Sequence, residues 1–197
     1  MNTKLGQWIE SRAELFRYIA ELPSYKKSAD RILLSGDVSV YLAGSLRSLY
    51  GSSADIIAVS DSSSSLAEAR LECGSLIEIK ESFDKFIEPD SFDIAISALQ
   101  IQSLNTRELT PYLFNVYDSM KKGGVLYLSF PEAASHTVIE KNKFPAWYDD
   151  SSEVYMKYYM ADDVVRSLNL IGYDLRLIER DAIEELYSVV TVICEKR

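Results

Sequence analysis

Residues 91–97 read Ser-Phe-Asp-Ile-Ala-Ile-Ser, and residues 120–132 read Met-Lys-Lys-Gly-Gly-Val-Leu-Tyr-Leu-Ser-Phe-Pro-Glu. Each segment contains a short apolar run of the kind that forms a strand buried on both faces of a sheet. The segment between them begins with a polar cap at residues 105–106 and ends in two lysines and two glycines, which is typical of a helix. The whole stretch therefore predicts a strand, a crossover helix and a second strand.

The same alternation of strand and helix runs through the rest of the chain. Apolar runs predict strands at residues 31–35, 55–60, 76–79, 93–97, 125–130, 174–180 and 188–195. Helical periodicity with caps and stops predicts helices at residues 3–22, 38–50, 65–72, 105–122 and 162–170. Ser65 and Glu68 fit a capping box at the start of the third helix. Alternation of this kind predicts an α/β fold, a doubly wound and mostly parallel sheet whose closing strand pair suits an antiparallel edge.

The 197 residues are enough for one domain with a substantial core. We expect a single domain over residues 1–197, with an N-terminal helix and connector at 1–27 and an irregular insertion at 131–160. The N-terminus has no signal-peptide core and no apolar run reaches the length of a bilayer span, so we expect a cytoplasmic protein with no membrane partner. Cys73 and Cys194 are expected to be small hydrophobes, buried or half-buried, in a reducing cytoplasm.

The balance of charged residues excludes some partners. The chain has 30 acidic and 21 basic residues, for a net charge of −9. An acidic protein repels a phosphate backbone, and the lysine pairs at 26–27 and 121–122 are too short to form a basic patch. The sequence also has no Cys/His cluster. We therefore expect neither nucleic acid nor a metal ion as a ligand.

The order of the elements and several local sequences resemble the class I S-adenosylmethionine-dependent methyltransferases from about residue 28 to residue 197. The matching segments are residues 90–93, 121–126, 170–173 and 190–193. The resemblance implies a Rossmann-like seven-stranded sheet of order 3-2-1-4-5-7-6, with strand seven antiparallel. It also implies S-adenosylmethionine as the cofactor and methyl transfer as the reaction. Ligands of such sheets bind at the carboxyl ends of the strands, near the point where the strand order reverses.

In this family the first strand ends in an acidic residue, and a loop with three glycines wraps the methionine part of the cofactor. Gly36 matches the first glycine, and Asp37 follows it. The chain departs from the pattern because Val38 and Val40 replace the other two glycines and Leu34 takes the acidic position. Valine tolerates positive φ poorly and adds bulk where the ligand would lie. The glycine motif is therefore degenerate.

The resemblance implies further cofactor contacts after strands two, three and four. Ser60, or Asp61 if the turn is shifted, stands where an acid accepts hydrogen bonds from the ribose, although Asp61 equally suits the start of a helix. Glu81 and Ser82 stand where an acid and a backbone amide meet the adenine, or they form an exposed loop pair. The residues that would line the methionine end are Ala98, Leu99 and Gln100.

Two features after the fifth strand suit an acceptor site. His136 is the only histidine, and a side chain with a near-neutral pKa suits a general base; a surface histidine is the alternative. Aromatic residues are dense between 144 and 160. Such density suits either a lid over an apolar substrate pocket or a homodimer contact.

The sequence leaves two classes of function open. The first is a methyltransferase that acts on a small-molecule acceptor. Its cofactor carries an already activated methyl group, so alignment of the reactants can suffice and no obligatory catalytic residue is expected. The second is an inactive protein of the same fold that serves as a binding or oligomerisation module, which the degenerate glycine motif favours. A third hypothesis, a related nucleotide-binding fold with another cofactor, carries little weight because the missing Gly-x-Gly pair also disfavours a dinucleotide.

Overall fold

The computed structural model describes residues 30–36, 39, 42–60, 63–74, 76–79, 88–104, 106–133, 140–146, 149–184 and 187–197. The predicted helix at 3–22 and the connector to residue 27 lie outside these ranges. The strands are β1 (Arg31–Ser35), β2 (Asp55–Val59), β3 (Ile77–Ile79), β4 (Phe92–Ala98), β5 (Met120–Ala133), β6 (Glu140–Ala146), β7 (Asp149–Lys157), β8 (Tyr173–Glu184) and β9 (Tyr187–Lys196). The helices are α1 (Ala43–Tyr50), α2 (Ser63–Cys73), α3 (Thr106–Ser119) and α4 (Ala161–Ile171), and a 3₁₀ turn covers Ile101–Ser103.

Seven of these strands form one sheet in the order β3-β2-β1-β4-β5-β9-β8. The first five strands pair in parallel, and β9 runs antiparallel to both of its neighbours. The predicted α/β fold with a mostly parallel sheet is therefore confirmed. The order of pairing reverses between β1 and β4, where crossovers lead away in opposite directions.

Apolar side chains cover both faces of the sheet, because alternate residues of each strand point to opposite sides. On β1, Ile32 and Leu34 join the core on one face, and Leu33 joins the core on the other. Residues of α1 and α2 complete the first core, and residues of α3 and α4 complete the second. Cys73 and Cys194 are buried in these cores and are not joined by a disulfide.

The helix predicted at residues 105–122 ends three residues earlier than expected. Helix α3 ends at Ser119, and the chain enters β5 at once, with Met120 paired to Phe92. The register then shifts before Val125 pairs with Ile94. Within this irregularity, a Cβ on Gly124 would lie 2.8 Å from the Lys121 carbonyl oxygen. The second glycine is thus required by the close approach of backbone in a strand bulge, and not by the end of a helix.

Two further expectations are corrected. Residues 131–160 are not irregular throughout, because β5 continues to Ala133 and β6 pairs with β7 as a separate antiparallel hairpin. The sequence of the hairpin does not alternate apolar and polar residues, so its strands escape a pattern search. Ser65 is also not the N-cap of its helix, because α2 already begins at Ser63.

Charged groups join the amino ends of β1, β4 and β5. Asp93 Oδ2 accepts hydrogen bonds from the backbone N–H groups of Asp30 and Arg31, each at 3.1 Å, and from Lys121 Nζ at 2.9 Å. The Asp93 side chain is only 4% exposed. Burial acts to raise the pKa of this carboxyl, but the Lys121 ammonium and the two N–H groups outweigh it and the pKa is lowered.

The last strand is fastened at the same edge. Lys196 Nζ lies 2.9 Å from Asp90 Oδ1 and donates to the Met120 carbonyl oxygen at 2.7 Å. The same ammonium lies 4.6 Å from the centre of the Tyr117 ring, a distance suited to a cation–π contact.

None of the helices within the described ranges combines the length and the apolar composition that a bilayer crossing requires.

Candidate functional site

The carboxyl end of β1 lies beside the point where the strand order reverses, which is where sheets of this kind bind ligands. Gly36 follows β1 with φ at +88°, a conformation that residues with a Cβ rarely adopt. Its N–H donates to the Val59 carbonyl oxygen at 3.0 Å, so the turn is tied to the end of β2. The first glycine of the predicted motif therefore retains the backbone geometry for which a glycine is needed.

The Ser39 hydroxyl group is bonded to the carboxyl ends of both β1 and β4. Ser39 Oγ donates to the Ser35 carbonyl oxygen at 2.6 Å and accepts from the Ala98 N–H at 2.8 Å. Ser39 and Ala98 are both fully buried. The hydroxyl thus joins the carboxyl ends of β1 and β4, where backbone pairing between the two strands has stopped.

A second hydroxyl cluster lies on the opposite face of the same strand ends. The Tyr112 hydroxyl on α3 lies 2.9 Å from Ser35 Oγ and 2.6 Å from Ser97 Oγ. Burial raises the pKa of Tyr112 to about 12, although both serine contacts act to lower it. The phenol therefore stays protonated at neutral pH and holds α3 against the ends of β1 and β4.

The residue that follows β4 has a strained backbone. Leu99 has φ at +50°, which is uncommon for a residue with a branched side chain. The Leu99 N–H donates to the Ser129 carbonyl oxygen at 2.9 Å, and the Leu99 carbonyl oxygen accepts from the Gln102 side-chain amide. Strain of this kind persists only where neighbouring structure imposes it, and it concentrates at ligand sites.

The Gln100 side chain lies directly against Gly36. A Cβ placed on Gly36 would lie 2.7 Å from Gln100 Cδ and 3.1 Å from Gln100 Cγ, and it would overlap the amide oxygen. Gln100 is half-buried, so the carboxamide reaches the site from the solvent-facing end of β4. A ligand that packs on Gly36 has to displace this side chain.

The structure brings together three of the residues that the sequence predicts as cofactor contacts. Gly36, Ser60 and Ala98 all lie at the carboxyl ends of adjacent strands, and the Ser60 N–H donates to the Ile79 carbonyl oxygen at 3.2 Å. Because the Ala98 side chain is fully buried and its N–H is bonded to Ser39, neither of these two groups is available to a ligand. The predicted site residues outside the described ranges are Asp37, Asp61, Glu81, Ser82 and His136.

The environment of Leu34 explains why this chain has an apolar residue at the position where the family has an acid. It is fully buried in the core and pairs with Ala58 on β2 and Ile96 on β4. A carboxylate in this apolar environment would lack solvation. The apolar residue therefore strengthens the core at the position where the family's sequence pattern has an acid.

Part of the aromatic segment belongs to the core and not to a lid or a dimer surface. Tyr158 and Tyr159 are 3% and 7% exposed. The Tyr159 ring meets Phe130 edge to face, with centroids 6.5 Å apart, and its hydroxyl donates to the Leu104 carbonyl oxygen at 2.8 Å. The prediction of a lid or interface is therefore wrong for these two tyrosines and stays a prediction for the rest of 144–160.

The sequence interpretation missed the hydroxyl groups that organise the site. Ser39, Ser97 and Tyr112 were not recognised, although one signal was available. Ser35 and Ser97 are polar residues at the ends of two apolar strands, and the register pairs Leu34 with Ile96 directly before them. Two such serines side by side in a core require a shared polar partner.

The mostly parallel α/β sheet has the Rossmann-like fold of class I S-adenosylmethionine-dependent methyltransferases, as the comparison with solved structures shows. Neither a protein-family model nor a curated protein matches the chain. Solved structures do match it. A methyltransferase of this cofactor class from Methanosarcina mazei has a TM-score of 0.68 at 14% identity, over 92% of this chain and 96% of that one.

Two other structural neighbours differ in what they do. The 1,6-didemethyltoxoflavin-N1-methyltransferase of Burkholderia thailandensis, with its substrate and S-adenosylhomocysteine bound, has a TM-score of 0.64 at 9% identity, over 98% of this chain and 86% of that one. The (4+2)-cyclase SpnF has a TM-score of 0.70 at 12% identity, over 95% of this chain and 82% of that one. At such low identities the likeness shows the fold alone, and the cyclase demonstrates that the fold is not limited to methyl transfer.

Proposed function

We propose that this protein is an S-adenosylmethionine-dependent methyltransferase whose acceptor is a small molecule. The observation that carries the proposal is Gly36, which keeps a positive φ at the carboxyl end of β1, beside the reversal of strand order. The structural neighbour that holds a small aromatic acceptor and the spent cofactor supports the choice of acceptor class. The net charge of −9 disfavours a nucleic acid acceptor.

When bound, S-adenosylmethionine supplies a methyl group on a sulfonium that is already activated. In this proposal the Gly36 backbone admits the methionine part, and Ser60 or Asp61 accepts hydrogen bonds from the ribose. Glu81 and Ser82 meet the adenine. The chain's own contribution to the reaction is to hold the acceptor in line with the methyl group, which can by itself supply a large part of the rate enhancement.

Calorimetric titration with S-adenosylmethionine and S-adenosylhomocysteine tests the proposal. We expect both ligands to bind the parent protein, and the variant Gly36→Ala to bind neither. Gly51→Ala is the matched control, because Gly51 also has a positive φ, +74°, but a Cβ there would meet nothing within 4 Å. The control reproduces the backbone strain away from the site. Absence of binding by the parent at millimolar ligand would refute the proposal.

The second candidate is an inactive member of the fold that acts as a binding or oligomerisation module. The observation that favours it is the Gln100 side chain on Gly36, together with the valines at 38 and 40. A double change, Val38→Gly with Val40→Gly, separates the two candidates. If the double variant binds the cofactor and the parent does not, the chain has lost the site and the module is the correct reading.

A further inference from the structure

We propose that Gln100 is an internal plug that sets the affinity of the cofactor site. The inference rests on the proposed function and adds a specific determinant to it. In the ligand-free protein the Gln100 carboxamide occupies the space over Gly36. A ligand that binds there competes with the protein's own side chain.

The backbone around Gln100 holds the plug in place. The strained φ of +50° at Leu99 turns the chain directly after β4. The Gln100 carbonyl oxygen then accepts from Ser103 Oγ at 2.7 Å, in the 3₁₀ turn that follows. These contacts fix the main chain of Gln100, so the side chain leaves from a defined point toward Gly36.

The plug is displaceable because only its side chain has to move. A glutamine side chain has two sp³ torsions with staggered alternatives, and Gln100 is half-buried at the open edge of the sheet. Rotation away from Gly36 needs no change in β1 or β4. The protein therefore has a closed form with the carboxamide on Gly36 and an open form in which the site is accessible.

The two forms lead to a quantitative expectation. When only the open form binds, the apparent dissociation constant exceeds the intrinsic one by the inverse of the open fraction. A minor state of a two-state protein is commonly populated at about 0.1–10%. Removal of the plug should therefore tighten cofactor binding by about tenfold or more.

Titration of S-adenosylhomocysteine into three proteins tests the plug. Gln100→Ala should bind about tenfold tighter than the parent or better, whereas Gln100→Met, which keeps the length of the side chain without its amide, should bind like the parent. Equal or weaker binding by Gln100→Ala would overturn the inference while leaving the proposed function intact. If none of the three proteins binds the ligand, the proposed function is wrong, and the proposed competition between the ligand and the Gln100 side chain is rejected with it.

A ligand-free measurement tests the contact separately. The denaturation midpoint is measured for Gly36→Ala in the parent and in the Gln100→Ala background. We expect a larger decrease in the parent, because the new Cβ overlaps the carboxamide only when Gln100 is present. An equal decrease in the two backgrounds shows that the carboxamide does not occupy the space over Gly36, and the plug is then rejected.

Discussion

At the amino ends of β1, β4 and β5 the chain is held by charge, through Asp93 and Lys121, whereas at the carboxyl ends of β1 and β4 it is held by hydroxyl groups. Asp93 accepts three hydrogen bonds on one oxygen and is almost fully buried. The Ser39 hydroxyl makes two contacts at the opposite edge, and both Gly36 and Leu99 there have a positive φ. An ion pair with a buried carboxylate therefore fastens the amino edge, whereas buried hydroxyl groups fasten the carboxyl edge, where the candidate site lies.

The largest effect is expected at the amino edge, for Asp93→Ala. The change leaves the Lys121 ammonium, whose side chain is 33% exposed, and two backbone N–H groups without their acceptor. The loss of these three hydrogen bonds is expected to cost about 3 kcal/mol of unfolding free energy. Urea denaturation measures this cost. Asp90→Asn is the control, because Asp90 is an exposed carboxylate with a positive φ that asparagine also tolerates. A control as destabilised as Asp93→Ala would remove the distinction.

The pH dependence of stability follows from the same carboxyl group. Its pKa in the folded protein is lowered from the ordinary value of about 3.9, because Lys121 and the N–H groups outweigh burial. The charged form therefore stabilises the fold fully above about pH 4. That stabilisation is lost as the pH falls through the lowered pKa. Urea denaturation of the parent and of Asp93→Ala across this pH range should show the additional loss of unfolding free energy in the parent alone. Parallel plots of unfolding free energy against pH for the two proteins would contradict the prediction.

At the carboxyl edge, Ser39→Ala should cost about 2 kcal/mol, because it leaves the buried Ala98 N–H without an acceptor. Ser48→Ala removes a comparable hydroxyl, which bonds the Gly44 carbonyl oxygen on the exposed side of α1. Thermal unfolding of both variants should show a decrease for Ser39→Ala only. A small loss at Ser39 would mean that the strand ends do not depend on this bridge.

Tyr112→Phe should cost about 1 kcal/mol of unfolding free energy. The change removes the hydroxyl that Ser35 and Ser97 share and leaves both serines buried. Tyr173→Phe is the matched control, since the Tyr173 hydroxyl donates to the Met120 sulfur at 3.5 Å, and thioether sulfur is a weak acceptor. Denaturant unfolding should give a lower unfolding free energy for Tyr112→Phe than for the control. The reverse order would show that the hydroxyl cluster does not stabilise the fold.

The smallest effect is a gain in stability. Thr191 on β9 is fully buried, and its Oγ1 has no hydrogen-bond partner among the described residues. Thr191→Val keeps the shape and removes this unsatisfied group, so we expect the unfolding free energy to rise by about 0.5 kcal/mol. Thr191→Ser, which keeps the hydroxyl and loses the methyl group, should instead be destabilised. A decrease for Thr191→Val would show that the hydroxyl has a partner.

The fold was readable from the sequence because both faces of the sheet are buried. The predicted strands at 31–35 and 55–60 have wholly apolar centres, at 32–34 and 56–59, and β1 and β2 fall within a residue of the predicted bounds. The junction after α3 was not readable, since the lysines and glycines at 121–124 suit a helix end as well as a bulge. At the site, Gly36 was evident from its position in the chain. The contact of Gly36 with Gln100 was not evident, because the two residues are 64 positions apart in the sequence and meet only through the alignment of β1 and β4.

The segment that contains the β6–β7 hairpin leaves and rejoins the main sheet close to Glu132. Glu132 Oε1 accepts from the Ala161 N–H at 2.9 Å, and the Tyr159 N–H donates to the Pro131 carbonyl oxygen at 3.3 Å. The chain therefore departs from β5 and returns to it at nearly the same point. Lengthening or replacing such an excursion adds little closure entropy. The hairpin is accordingly an insertion whose length and sequence can change without rebuilding the seven-stranded sheet.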